Sequence, residues 1–429
     1  MDSYWISRVV IKQLWGHKDF DLRFNRDVNI LIGPNASGKT TVLNLISYVF
    51  RADIQLLSQI QFDEMSITLS GHQKNVERTI KVSFDHNIVV FRVGRQSYKI
   101  DMSRLSDLRS RMYWRQMKRS KLVTDLAAAL LAMMPIVWLP VSRRLPVFME
   151  DDGSRVAREM RGDEPIESVD ERLRHLLGLL ATYRLKLEAQ LTEKYKAFER
   201  TVLGITLFDK EHDKFPLHIG KAPGDDDRRA LERAFRAAGL WDSRIEKRIR
   251  EHFQTADQAY KEMTNPKGSG PTPIPNNKVM LIVPLIPRTM RMVDAARQLE
   301  TEREEIFASI NKYKELLHGF LQGKLVELGD HGELVIRMER DGQSKMLNPD
   351  MLSSGEKQIA ILLTQALVQK DAPALYIADE PELSLHVMWQ EKLISSIREL
   401  GPEFQIIVAT HSPDIVGPYS DKVISLTHY

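Results

Sequence analysis

At 429 residues and 43% hydrophobic content, the chain can bury a substantial core and lies outside the range of disordered chains and disulfide-stapled miniproteins. It has no cysteine, which excludes disulfides, thiolate metal sites and cysteine nucleophiles and is compatible with a reducing cytoplasm. A net charge of +3 is too small to argue for nucleic acid by itself, so any such case must come from local clusters.

In chain order, the N-terminus MDSYWISRVVIKQL alternates like a strand and has no basic segment followed by an apolar one and a cleavage site. Val9 to Gln13 and Asp27 to Ile32 are predicted strands, the second running into a glycine-rich turn. Thr41 to Phe50 then carries Val42, Leu45, Ile46 and Val49 at helical spacing. The first unit is therefore strand, loop, helix. Met65 to Leu69, Thr79 to Phe84 and Ile88 to Val93 read as strands of an antiparallel lobe. Arg109 to Lys121 holds six basic residues and no acidic one, interleaved with Tyr113 and Trp114, a pattern that fits phosphates and stacked bases as well as a solvated helix face. Leu126 to Val141 is the longest apolar stretch, but Pro135 and Pro140 interrupt it and it is too short to span a bilayer, so it reads as a helix end plus a buried strand. A soluble cytoplasmic protein without membrane contact is expected.

From Val169 to Val202, apolar residues from Leu173 through Leu191 to Phe198 recur at steps of three and four, the seam of a long helix. A second seam runs from Met292 to Phe320, and the two are expected to pair antiparallel as a short coiled coil. Between them lie a basic helical stretch, Arg228 to Arg250, with acidic residues mixed in as on a salt-bridged surface, and a Pro- and Gly-rich loop, Asn265 to Asn277. Lys324 to Leu328 and Leu334 to Met338 return to strand patterning and Gly355 to Leu367 to helix. Leu375 to Ala378 and Ile406 to Ala409 are short apolar runs typical of parallel strands buried on both faces. The expected domains are 1–160, an insertion over 161–323, and 324–429.

Gly33, Pro34, Asn35, Ala36, Ser37, Gly38, Lys39 and Thr40 spell GxxxxGK[ST] between a predicted strand and a predicted helix. Backbone N–H groups there face phosphates, Lys39 neutralises the β and γ oxygens of ATP, and the Thr40 hydroxyl can ligate Mg2+; Thr41 opens the helix. LYIADE at 375–380 ends an apolar strand in two carboxylates, Asp379 for the magnesium shell and Glu380 to polarise water. Alone, such a pair fits a helix N-cap equally well, and LSSGEKQ at 352–358 fits ordinary capping. Four elements in order, with His411 in THSP after the next strand, are far more specific.

That ordered set resembles the ABC ATPase superfamily and implies an α/β fold: a P-loop head of mixed sheet with flanking helices, an antiparallel β lobe and a helical coiled-coil insertion. The resemblance implies a head-to-head dimer or higher homo-oligomer in which Ser353 and Gly355 touch the γ-phosphate of a partner's site. It makes His411 the switch histidine, puts the D-loop at Ser384 to His386, and gives Gln61, or alternatively Gln59, as the glutamine that reaches the metal. Ala36 and Ser354 stand where many members have glycine, which fits transporters less well. The long separation of loop and signature resembles the chromosome-maintenance and repair branch. DEPELSLH resembles the overcoming-lysogenization-defect type, whose members carry a Toprim nuclease on the same chain. Here the sequence stops at Tyr429, so any nuclease is expected on a separate polypeptide. With the VSRRLP segment, the chain is most similar to the AriA-type ATPases of phage anti-restriction-induced systems. That similarity implies a sensor and scaffold role, an AriB-like Toprim partner, and an acidic DNA-mimicking phage protein or DNA as trigger. The alternative is a repair or recombination ATPase acting directly on DNA.

Overall fold

The alternation that opens the chain folds into a hairpin. Strand β1, Tyr4–Leu14, turns through residues 15–17 into β2, Lys18–Arg23, with Val9 opposite Leu22 and Ile11 opposite Phe20. The computed structural model describes residues 4–71, 76–103, 114, 117–139, 145–146, 166–167, 169–207, 209–210, 223–264, 281–329, 332–340 and 343–426. Strand β3, Val28–Ile32, leaves this hairpin for a second sheet, while β4 (Glu64–Gly71), β5 (Glu77–Asp85), β6 (Ile88–Val93) and β7 (Gln96–Asp101) extend it into an antiparallel sheet of order β2-β1-β4-β5-β6-β7.

The second sheet is parallel and positions the site. It is made of β8 (Ile136–Leu139), β14 (Leu375–Asp379), β15 (Gln405–Ala409) and β16 (Val423–Ser425) with β3, in the order β16-β3-β15-β14-β8. Every residue of β14 and β15 is buried, as expected of strands covered on both faces. Leu31, Ala409 and Asp379 lie in register across three neighbouring strands, so the turns that follow them emerge side by side at the carboxyl edge. Helix α1, Lys39–Phe50, packs between the two sheets: Val42, Leu45, Ile46 and Val49 share one core with Leu14, Phe20 and Met65 of the lobe and with Ile377 and Ile407 of the parallel sheet. Helix α2, Lys121–Met133, is capped by Ser120 and buries Val123, Leu126 and Leu130 in the same core.

Leu145–Pro146 and Ile166–Glu167 (β9, β10) pair as a short ribbon, and β11 (Lys324–Leu328), β12 (Leu334–Arg340) and β13 (Gln343–Leu347) form an antiparallel sheet ahead of the signature segment. Strands β2, β7 and β13 escape prediction. All three are sheet edges with few apolar residues, so one-sided burial leaves only a faint periodic signal.

The chain packs as two compact units, Met1–Ala181 with Lys312–Tyr429, and Thr182–Asn311. Helices α3 (Val169–Thr206) and α6 (Ile286–Phe320) run through both. Within the second unit, Lys194 pairs with Glu302 and Arg288 reaches the Thr206 carbonyl, which fixes the antiparallel run of the two helices. The antiparallel pairing of the two seams is as expected, and further helices join it. The basic helical stretch forms two helices, α4 (Asp225–Ala237) and α5 (Ser243–Thr264), broken around Gly239 in the left-handed region. Leu231 and Ala234 of α4 and Phe253 of α5 join Phe198 of α3 and Val293, Ala296 and Leu299 of α6 in one core, so four helices share the seam. The solvent face of α4 and α5 carries the expected ion pairs, Arg228 with Glu232 and Arg250 with Glu246.

Of the readings left open for the basic cluster, neither a stacked base nor a solvated face fits Trp114: its ring is 6% exposed and sits in the core beside Met117 and Val123. Tyr113 and three of the six basic residues of the cluster (Arg109, Arg111 and Arg115), Arg143 and Arg144 of the VSRRLP segment, and the Asn265 to Asn277 loop lie outside the described residues. None of the described helices is long and apolar enough to cross a membrane.

Candidate functional site

Two turns and one loop meet at the carboxyl edge of β3, β15 and β14. After β3 the loop 33–38 turns into α1 through Gly38, whose φ of 110° belongs to the left-handed region. A side chain at Gly38 would meet the Phe20 and Trp15 rings at 3.2 and 3.3 Å, so glycine is required by conformation and by space. A Cβ at Gly33 would come within 2.8 Å of Ser37 Oγ. Ala36 holds φ at 62°, a conformation that costs an alanine about 1–2 kcal/mol and that glycine adopts freely. Lys39 is 6% exposed and folds back over the loop, donating to the Gly33 carbonyl at 2.8 Å and the Pro34 carbonyl at 3.1 Å.

Asp379 closes β14 at 2% exposure and interacts with the Thr40 hydroxyl, while its Oδ1 has no hydrogen-bond partner. Burial pushes its carboxyl up to about 6; the Thr40 hydrogen bond and Lys39 oppose this, and the charges of Glu380 and Glu382 reinforce it. A buried carboxylate oxygen without a donor, beside an exposed hydroxyl at a helix start, is the donor set a magnesium ion takes when phosphates complete its shell. Thr40 and Asp379 therefore fit that ion.

Glu380 continues the parallel ladder through its N–H to the Ala409 carbonyl at 2.8 Å, with φ at 44°. That left-handed bend is uncommon outside glycine and turns the side chain toward the neighbouring strand's turn. His411 follows β15 there, its Nε2 3.9 Å from Glu380 Oε1, with side chains 43% and 30% exposed respectively. Glu382, overlooked in the sequence, holds the arrangement: its Oε1 accepts from the Thr410 hydroxyl at 2.7 Å and from the His411 N–H at 2.9 Å. The only sequence signal was a third acid within DEPE, which local spacing cannot separate from a solvated turn.

Ser353 N-caps helix α7, Ser354–Gln369, in a reciprocal capping box with Glu356, so the ordinary capping chemistry is present whatever else the segment does. Gly355 lies directly under the Ser384 carbonyl oxygen, which a side chain would strike. The segments 353–355 and 384–386 of one chain thus form a single surface, with Ser384 itself at φ 75° and His386 capping helix α8, Val387–Leu400. Within the first unit, helix α7 is also bonded to the near ends of α3 and α6: Lys357 to Asp170 at 2.6 Å, Gln365 to Arg172 at 2.8 Å, and Thr364 to Tyr313 at 2.8 Å.

Gln61 lies elsewhere on the rim. Its carbonyl accepts from the Trp15 N–H at 2.9 Å and its amide lies against Gly16. Trp15, at φ 56° and 36% exposed, leans over Gly38 with Lys18 5.8 Å from its ring. No sequence motif marked it, because its nearness to the loop comes from the hairpin's long-range packing.

A parallel sheet carrying a GxxxxGK[ST] loop, a buried acid on the next strand but one, an antiparallel lobe and a helical insertion defines an ABC-type P-loop head. The chain belongs to the RecF/RecN/SMC N-terminal domain family, which matches residues 5–429. It is 33% identical over 103 residues to the DNA replication and repair protein RecF of Erwinia tasmaniensis, covering 23% of this chain and 27% of that protein. It is 45% identical over 47 residues to the Septu protein PtuA of Bacillus thuringiensis, covering 11% and 12%. The chain thus spans well under two thirds of these curated relatives. The solved Smc head domain with an extended coiled coil from Pyrococcus furiosus, bound to the C-terminal domain of ScpA, aligns over 98% of this chain and 93% of its own, with 15% identity and a TM-score of 0.44.

Proposed function

We propose that this chain binds and hydrolyses ATP as the sensor and scaffold subunit of a bacterial anti-phage defence complex, assembling through its heads and controlling a separate Toprim-like nuclease. The observation that carries the nucleotide chemistry is the Thr40–Asp379 contact beside the unpartnered Asp379 Oδ1. A triphosphate on the loop N–H groups of Gly33 to Thr40 gives Lys39 a stronger partner than the two carbonyls it now holds. Thr40 and Asp379, with Gln61 as a further proposed ligand, would hold a magnesium ion, which would supply charge neutralisation to the phosphates. Glu380 orients and polarises the attacking water, and His411 faces the same space. Trp15 offers its ring as a platform for the base.

The signature residues Ser353 and Gly355 serve the phosphate loop of a second head. Exposed Met351, Leu383, Val387 and Met388 flank them and Ser384, an apolar rim that favours burial against a second copy. The defence role is supported by the DEPELSLH wording at 379–386, the short insertion and the near-neutral charge, and is in keeping with the local match to PtuA. An acidic DNA-mimicking protein or DNA is the trigger class proposed, and the cytoplasm the compartment.

Nucleotide binding by the purified chain, lost in Lys39→Ala, tests the first part. Co-purification with the product of the neighbouring reading frame tests the second: absence of a Toprim-like nuclease there counts against the defence role. A second function, a repair ATPase acting directly on DNA, is favoured by the RecF match. Tight, salt-sensitive binding of duplex DNA by the chain alone would select it.

A further inference from the structure

The turns after β14 and β15 are tied together at two points. On one side the Glu382 carboxylate accepts from the Thr410 hydroxyl at 2.7 Å and the His411 N–H at 2.9 Å. On the other, Ser412 Oγ donates to Gln390 Oε1 at 2.6 Å while Gln390 Nε2 donates to the Leu385 carbonyl at 3.0 Å. Only the first tie touches the residue that faces Glu380. Glu382 is itself steered by its neighbour Pro381, whose carbonyl accepts from Gln358 of the signature helix at 3.2 Å. The chain of contacts therefore runs from the signature helix through Pro381 and Glu382 to the backbone of His411.

We propose that Glu382 is a positioning residue for hydrolysis, its carboxylate oxygen fixing the switch turn so that the His411 ring stays opposite Glu380. This rests on the ATPase reading above. Two donors converge on a single Oε1, so holding the switch turn requires an acceptor at that point. Glutamine keeps such an acceptor; alanine does not. Glu382 acts on Asp379 only through its charge, which Glu382→Ala and Glu382→Gln both remove, so a turnover loss confined to Glu382→Ala reports the lost acceptor.

The experiment is steady-state ATPase kinetics and ATP-analogue binding on the full chain for wild type, Glu382→Ala, Glu382→Gln and Thr410→Val. Expected are a kcat lowered at least tenfold in Glu382→Ala with analogue affinity within about threefold of wild type, at least half the wild-type kcat in Glu382→Gln, and an intermediate loss in Thr410→Val, which removes one donor. Wild-type kcat in Glu382→Ala overturns the proposal, as does a Glu382→Gln as slow as Glu382→Ala. Should Glu382→Ala not fold, an unaltered kcat in Thr410→Val overturns it instead. A wild-type chain that binds ATP no better than Lys39→Ala is a different failure, that of the ATPase reading.

Discussion

His411 Nε2 stands 3.9 Å from Glu380 Oε1 across the carboxyl ends of two adjacent parallel strands. The separation is too long for a hydrogen bond and short enough for both groups to reach one water or one phosphoryl oxygen. Replacing either should therefore strike turnover. Glu380→Gln and His411→Ala are each expected to lower kcat by about 10²–10⁴-fold while ATP binding persists. Mass measurement with ATP should show Glu380→Gln accumulating the paired state; wild-type hydrolysis in Glu380→Gln would remove Glu380 from the mechanism.

Asp379 gives a pH signature in the ligand-free protein. Its carboxyl is raised to about 6, above the value near 3.8 expected when unfolded, so the folded state binds the extra proton between those values. Stability should fall as pH rises from about 4 to about 6 and level off above, by an amount on the order of 2–3 kcal/mol at most. Asp379→Asn should abolish that slope and be more stable than the parent at pH 8, while losing magnesium-dependent nucleotide binding. Urea melts across this range decide it.

Ala36 sits at φ 62°. Ala36→Gly should relieve the left-handed strain by more than the added unfolded-chain entropy costs, a net gain of about 0.5–1 kcal/mol. Thermal melts check the sign, with nucleotide affinity unchanged.

Gly355→Ala places a methyl against the Ser384 carbonyl oxygen. Backbone cannot give way as a flexible side chain does, so a loss of about 1–3 kcal/mol is expected. Head pairing should weaken as well, since the signature and D-loop surface is displaced; calorimetry and light scattering with ATP read the two effects separately.

Trp15→Ala should weaken ATP binding by about tenfold, the lower end of what base stacking on an aromatic ring contributes, and leave binding of inorganic triphosphate unchanged. A nucleotide-dependent change in tryptophan fluorescence lost in the variant would locate the base.

Much of the head was legible because its motifs are local. GPNASGKT needs only a strand before it and a helix after it, and β14 and β15 announce their burial on both faces through unbroken apolar runs. The seams of α3 and α6 were equally plain, since Leu173, Leu180, Tyr313 and Leu317 repeat at helical steps and are buried. What periodicity could not carry was partnership. The same pattern that buried Phe198 and Leu299 left open whether they met each other alone or shared a core with Leu231 and Phe253.

The sequence by itself determined the class of head and the place of its phosphate-loop motif, because each motif is read within a few residues of its own strand. Only the tertiary structure decided who stands beside whom. The order β3-β15-β14 brings Asp379 into register with Ala409 and Leu31, sets Glu380 opposite His411 and lets Glu382 hold the turn after β15, while packing around the β1–β2 hairpin and its core leans Trp15 over Gly38 and buries Trp114. These are contacts between separate strands, turns and loops brought together across a shared core, and no local spacing encodes them.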